Sequence, residues 1–451
     1  MENFFKRSFI LQCAPIAGLW LLFSTDANAL PSFTRQTGMA CTACHTQAFG
    51  PNLTPYGRQF KLNAYTWGTN KSQLSRLGGQ VQGSLTNTKR DDPAFANNSI
   101  ALDQASLFYG GKVTDFMGAF VQLTYSGVGN NFAVDNTDIR LSDDIDLFNQ
   151  SLIYGVSFNN NPTVQDLWNT TPGWSFPYVS SPLAATPAAG PLLSSVGGQV
   201  GGATLYSMIA DTVFVEAGAY TSFAKGVQRS FGQWDTSNPN YSANSGSVKI
   251  DGGAPYWRIG LQKEWHGHYA SLGHFGFRAN VRPNVTVPGT DRYTDLGVDF
   301  NYQYLANPRH IFETKASYVR EQQELWTTNT LLNGSTNSNQ QLGFLALNGS
   351  YTFLQTYSFS AGFNHIYGNS DAKLYSSSPN QRPNSEYFSF ELDYVPFGKK
   401  ATTGLDSYLN LRFAAQYVAY TLFDGAVKNY DGSGRNASDN NTFYLNSWLM
   451  F

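Results

Sequence analysis

The sequence predicts an all-β chain, a closed transmembrane antiparallel β-barrel of about 16 strands preceded by a short compact segment. Three observations carry that expectation: an unusual composition, a period-two alternation along most of the chain, and connections that alternate between long and short. Of 451 residues, 29 are Lys or Arg and 31 are Asp or Glu; 13% are charged, 15% are aromatic and 42 are Gly. So few charges with so many aromatics, at a negative mean hydropathy, is what short strands produce when apolar and polar side chains alternate. The near-zero net charge gives no basic excess or stripe, so no nucleic acid partner is expected.

Residues 1–29 read as an export signal. Lys6 and Arg7 supply the charged start, Ser8 to Phe23 is mostly apolar, and Ala27-Asn28-Ala29 offers a small-x-small cleavage pattern before Leu30. An uncleaved anchor is the alternative, but its apolar core is short and interrupted by Gln12 and Pro15. Gln12 is also too large to precede a lipidated Cys13. Beyond residue 30 there is no apolar run of about 18 residues, so a membrane role requires a barrel.

Two cysteines follow the signal, and His45 comes directly after the second. Cys41-Thr42-Ala43-Cys44-His45 is the C-x-x-C-H attachment motif of c-type haem. Two thioethers one short turn apart join the vinyl groups, and the next residue presents its imidazole to the iron as proximal ligand. The competing readings are a disulfide, a thioredoxin-like redox pair and half of a zinc site. Zinc lacks a second ligand pair nearby, and no β-α-β pattern surrounds the cysteines. An export signal in front and a histidine behind favour one covalently held haem c. Phe33, Phe49, Tyr56, Phe60, Tyr65 and Trp67 could wall a porphyrin, with Arg35, Arg58 and Lys61 as candidate propionate neighbours; the plainer alternative is ordinary packing and solvated charge. No Met or His lies between Thr46 and residue 100, and Met39 sits too close to the attachment point to cross to the opposite face easily. The sixth ligand must then come from the barrel, or the position is open, water-bound or filled by a group such as Lys61.

The remainder alternates with period two. Thr294, Leu296, Val298, Phe300, Tyr302 and Tyr304 suit lipid, while Tyr293, Asp295, Gly297, Asp299, Asn301 and Gln303 suit water. The pattern recurs in Phe388, Phe390, Leu392 and Tyr394, and in Leu409, Leu411, Phe413 and Tyr417. Strands are expected near 76–88, 100–112, 115–125, 134–144, 149–160, 199–210, 211–223, 254–266, 269–283, 292–304, 309–321, 339–353, 355–369, 384–396, 404–420 and 439–451. Links after odd strands are generally long and those after even strands short, the asymmetry of porin-like outer-membrane barrels. An even count returns the chain end to the side of the N-terminal segment, and the closing strand ends on an aromatic, Phe451. This divides the chain into residues 1–29, a monohaem cytochrome c segment at 30–75, and a barrel at 76–451.

The polar stretches Asn159 to Gly198 and Gly226 to Gly253 read as external loops. Strand parity places His365 at the membrane interface, leaves His266 and His268 at a turn, and directs His274 and Met450 into the lumen, where both are candidate distal haem ligands. Asp295, Asp299, Glu391 and Asp393 are expected to line the pore, either drawing in a hydrated cation or simply wetting the wall. No hydrolase or nucleotide-binding motif is present.

Leu30 to His45 (LPSFTRQTGMACTACH) and Leu53 to Leu62 (LTPYGRQFKL) resemble the fused monohaem cytochrome-porins of the bacterial outer membrane, the type that includes outer-membrane iron oxidases. The likeness spans about 40 residues of sequence; the barrel agrees in architecture only. It implies an outer-membrane location in a Gram-negative cell, with the haem segment plugging the barrel lumen or reached from the periplasm. It also implies Cys41 and Cys44 as attachment residues, His45 as proximal ligand, extracellular Fe(II) as electron donor and a periplasmic c-type cytochrome as acceptor. The alternatives are a solute porin with a structural or gating haem plug, and a haem enzyme or sensor with an open distal site.

Overall fold

The computed structural model describes residues 32–69, 72–91, 97–172, 175–232, 248–284, 286–400 and 408–451. The expected export signal lies outside the described residues. Sixteen antiparallel strands form one closed barrel: β1 (Leu77–Thr88), β2 (Ser99–Lys112), β3 (Met117–Ser126), β4 (Asn131–Leu147), β5 (Gln150–Asn159), β6 (Val200–Ile209), β7 (Val213–Ser222), β8 (Ala254–Trp265), β9 (His268–Val281), β10 (Asp291–Tyr304), β11 (His310–Glu324), β12 (Asn339–Phe353), β13 (Tyr357–Gly368), β14 (Ser385–Tyr394), β15 (Asn410–Leu422) and β16 (Thr442–Met450). Each matches one strand expected from the alternation. Closure pairs β1 with β16 from Gln80↔Met450 to Thr88↔Thr442, which leaves no strand edge exposed to lipid.

Burial follows the period of the sequence. On β10, Asp295, Asp299, Asn301 and Gln303 are buried inside while Leu296, Val298 and Phe300 are exposed outside. Among the described residues no helix is long and apolar enough to cross a membrane. Ring contacts run around the outer wall at the short-turn end: Trp265 on His268, His268 on Tyr304, Tyr304 on Phe312 and Phe312 on Tyr351. Tyr357 on Tyr394 and Tyr394 on Phe413 continue the series. This is an interfacial aromatic girdle. A closed barrel with an apolar outer band and such a girdle is a transmembrane barrel of the outer-membrane type.

Two connections depart from the expected long-short alternation. The β3–β4 link shortens to residues 127–130, because β4 extends outward to Asn131. The β14–β15 link, 395–409, is the longest at its end of the barrel, and Val395 in it packs against Ala48, Phe49 and Trp448.

The stretch read as an external loop at 159–198 turns into the barrel over much of its length, with only residues such as Pro182, Thr186 and Ala188 exposed. Leu167, Trp168, Phe176, Leu192, Leu193 and Val196 in it are all buried. Leu192, Leu193 and Val196 pack on Tyr220, Tyr256, Phe275, Phe277 and Val319 of the wall; Leu167 and Trp168 pack on Leu62, Tyr206, Phe214 and Tyr269. Each fully buried large apolar side chain contributes about 1.5–3 kcal/mol, enough together to draw the loop into the lumen. Polar anchors hold it there. Asp166 lies 3.4 Å from Arg258, which is also 2.7 Å from Asp299, and the Leu192 and Leu193 N–H groups donate to Glu321 (2.6 Å) and Asp295 (2.8 Å). The second stretch, 226–253, falls largely on residues that are not described.

The inner carboxylates therefore do not line an open, cation-attracting pore. Asp295 and Asp299 hold the loop, and Glu391 and Asp393 are both paired with Arg412.

Candidate functional site

The segment before β1 enters the lumen from the short-turn end. Helix Ser32–Thr37 is stopped by Gly38 at φ 74°, a left-handed turn that glycine adopts without strain. The chain then forms one helical turn, Cys41–Cys44, closed by the His45 N–H donating to the Cys41 carbonyl at 2.9 Å. That turn brings both thiols and the imidazole to one side, as C-x-x-C-H spacing requires.

The next helix, Pro55–Leu62, starts with Thr54 as N-cap and Pro at its first position. Thr54 Oγ1 accepts from the Gly57 N–H at 3.2 Å and donates to the Ala43 carbonyl at 2.8 Å, so one side chain starts the helix and ties it to the cysteine turn. The two pack so closely that a Cβ at residue 57 would stand 2.2 Å from the Cys44 carbonyl oxygen. Only glycine fits there.

Between these helices and the wall lies a cavity of about 200 Å³. Cys41, Cys44 and His45 line it together with Phe33, Phe60 and Tyr65. Phe33 meets Phe60 edge-on at 5.1 Å and stacks on Tyr65 at 5.7 Å. The opposite lining comes from Phe120 and Asn136 of the barrel and Val164 and Asn169 of the inserted loop.

The donor set fits a c-type haem. Cys41 and Cys44 are not joined by a disulfide, and burial pushes the Cys44 thiol up to about 12, opposite to the low pKa of a redox-active cysteine. His45 Nδ1 is 3.1 Å from the Asn52 carbonyl; this contact orients the ring and leaves Nε2 for a metal. Desolvation lowers the imidazole to about 4, with the Asn52 contact opposing, so the ring is neutral and able to ligate. No group of three or more His, Cys, Asp or Glu capable of holding a metal ion occurs among the described residues, which leaves the zinc reading without a ligand set.

Of the candidate propionate neighbours, only Lys61 lines the cavity. Its Nζ donates to the Val164 (2.5 Å) and Asp166 (2.9 Å) carbonyls of the inserted loop, and burial followed by repulsion from Arg140 lowers it to about 8. Arg35 donates to the Ser75 carbonyl at 3.0 Å and to the Leu77 carbonyl, at the junction with β1. Arg58 donates to the Leu53 carbonyl (2.7 Å) and Gln303 (3.1 Å), and lies 3.8 Å over the Tyr269 ring. Both arginines fasten the segment to itself or to the wall.

His274 does not face the lumen. On β9 the inward residues are Tyr269, Ser271, Phe275 and Phe277, while His274 shares its side with exposed Leu272 and accepts from Trp257 Nε1 at 3.3 Å. Arg278 and Arg282, which suggested the opposite parity, sit toward the outer end of the strand, where charge is tolerated on the lipid side. Met450 does point inward, but it packs beside Phe49 and Trp448 and is not in the cavity wall. Met39 is in that wall, as are Asn136 and Asn169; nothing in their sequence context marks the two asparagines.

No family profile matches the chain, and no curated protein matches it. Among solved structures it is similar to Salmonella typhi OmpF in complex with daunomycin (TM-score 0.48, 14% identity, 83% of this chain and 97% of that one). It is also similar to an anion-selective porin of Comamonas acidovorans (TM-score 0.47, 10% identity, 83% and 98%). A third is the outer membrane channel DcaP of Acinetobacter baumannii (TM-score 0.43, 13% identity, 83% and 96%).

Proposed function

We propose that the chain is an outer-membrane electron conduit that carries one haem c at the short-turn end of a filled barrel, takes electrons from extracellular Fe(II) and passes them to a periplasmic c-type cytochrome. The observation that carries this reading is the single cavity into which Cys41, Cys44 and the Asn52-oriented His45 all open. In it Cys41 and Cys44 would tether the group and His45 Nε2 would ligate the iron; the bound group supplies reversible one-electron exchange. Phe33, Phe60 and Tyr65 keep the site apolar, and Val164 and Asn169 of the inserted loop cover it from the outer side.

A cation donor is favoured by the inner face of β1–β4 above this cavity. Its described side chains are largely uncharged, such as Gln80, Gln82, Ser84, Ser106, Gln122 and Thr124. Besides Asp138, which is paired with Arg140 at 2.7 Å, two carboxylates sit among them. Asp103 accepts from Ser84 (2.7 Å) and Tyr444 (2.6 Å), and Asp135, next to Asn136 of the cavity wall, accepts from Thr124 (3.0 Å). Neither forms a salt bridge with a Lys or Arg among the described residues.

The test is anaerobic mixing of Fe(II) with the purified oxidised protein while the haem absorption bands are followed, at acidic and neutral pH. Rapid reduction is expected, and Asp103→Asn with Asp135→Asn should slow it about tenfold without slowing reduction by the anion dithionite. An intact haem that ignores Fe(II) would remove iron as donor.

A further inference from the structure

The outer wall carries a second recess, unrelated to the lumen. At the long-loop ends of β11, β12 and β13, Tyr318, Arg320, Gln341, Gly343 and Tyr367 line a cleft of about 400 Å³, roofed by Asn369, Ser370 and Arg382 of the β13–β14 link. Tyr318, Arg320, Gln341 and Tyr367 share the parity of the lipid-facing residues, since their neighbours Val319, Glu321, Gln340 and Ile366 are buried toward the lumen.

The depth of the cleft is marked by aromatic rings. The Tyr318 and Tyr367 hydroxyls are 2.8 Å apart, Tyr367 stacks on His365 at 5.4 Å, and Phe363 meets Phe388 at 5.0 Å, the pattern of an interfacial girdle. Arg320 stands two positions further out on β11, at the level of lipid headgroups. Gly343 lets the Tyr367 ring lie against the wall as one side of the recess: a Cβ there would stand 2.3 Å from Tyr367 Cζ.

The charges in the cleft are both positive and lack carboxylate partners. Arg320 Nη2 donates to Gln341 at 2.9 Å, and neither Arg320 nor Arg382 has an ion pair among the described residues. The carboxylates on the same outer face are engaged elsewhere, Glu324 with Arg292 at 3.1 Å and Glu386 with His365 at 3.3 Å. Two guanidinium groups with tyrosine, asparagine and serine donors around an open recess suit the oxygens of a phosphate, which arginine binds in bidentate fashion.

We propose that this cleft binds the phosphorylated headgroup of a glycolipid in the outer leaflet, with Arg320 and Arg382 gripping the phosphate and the two tyrosines bordering the sugar and acyl region. A lipid is the source favoured by position, because the cleft opens sideways from the wall at the headgroup level rather than into the lumen or bulk water.

The experiment is native mass spectrometry of the detergent-solubilised full chain titrated with diphosphoryl lipid A, dephosphorylated lipid A, and inorganic phosphate. One diphosphoryl lipid per barrel is expected. Arg320→Gln with Arg382→Gln, and separately removal of the lipid phosphates, should each weaken binding about tenfold or more. Millimolar inorganic phosphate should not displace the lipid. Retained heat-modifiable migration of the double variant shows that it still folds, and Arg320→Lys with Arg382→Lys should recover part of the binding. Unchanged binding by the glutamine variant, or equal binding of the dephosphorylated lipid, overturns the site. Displacement by free phosphate overturns the glycolipid as its ligand.

Discussion

Two inserts fill this barrel, and they are held by different physics. The N-terminal segment is organised locally: the Cys41–Cys44 turn, the Thr54 cap, Pro55 and Gly57 lie within a few residues of one another and shape the site before the wall is considered. The loop between β5 and β6 has little regular structure of its own and is positioned by what the wall offers it, an apolar cluster and the Arg258–Asp166–Asp299 group. A locally encoded insert announces itself in the sequence. An insert placed by distant partners does not, because its partners Tyr256, Arg258, Asp299 and Val319 are scattered over three strands far along the chain.

The largest expected effect separates segment from barrel. On the proposed function, Cys41→Ser with Cys44→Ser should abolish the covalent haem it requires, read as loss of haem stain on a denaturing gel, while heat-modifiable migration shows that the strands still close. If the barrel fails to form, the segment is part of the folding core and the distinction collapses.

Removing the other insert should do the reverse. Replacing 162–196 by a short Gly-Ser link should raise single-channel conductance in planar bilayers about tenfold or more, because the lumen it occupies becomes water, while covalent haem stain is retained. An unchanged conductance would mean that the N-terminal segment alone seals the barrel.

At the level of single anchors the contrast becomes energetic. Arg258→Gln leaves Asp166 and Asp299 buried without their cation, a loss of about 3–5 kcal/mol, measurable by denaturant unfolding of the folded barrel in detergent and by protease access to residues 160–199. The loop-side effect should exceed the smallest of the series: Thr54→Ala removes a helix cap and should cost about 1 kcal/mol, seen as faster hydrogen exchange over 55–62 with no change in loop protection. Equal effects from the two changes would argue that segment and loop order as one unit, through the Lys61 contacts to Val164 and Asp166.

The same reasoning explains which expectations survive. All sixteen strands were legible because inward and outward faces meet different solvents, so alternation is enforced along every strand. Errors sit where that rule lacks force. The parity of His274 rests on Arg278 and Arg282, near the end of β9, where both faces meet water and parity carries less information. At 159–198 a polar and Gly/Pro-rich composition suggests an external loop, although Leu167, Trp168, Phe176, Leu192 and Leu193 form an apolar content that an exposed loop has no means to bury. Met39 follows the left-handed turn at Gly38 and lines the cavity beside the attachment turn.

The sequence by itself determined the number of strands, the face each side chain takes along most of them, and the turn that sets two thiols and an imidazole together. These follow from period-two burial and from contacts within a few residues. Only the tertiary structure decided that two inserts enter the lumen, that Asp295 and Asp299 serve as anchors, that Lys61 alone of three cations reaches the cavity, and that Asn136, Val164 and Asn169 complete the cavity wall. Those outcomes depend on which remote groups meet when the sheet closes on itself, and closure brings β1 against β16 and the β5–β6 loop against β8–β11 with no local signal in either partner.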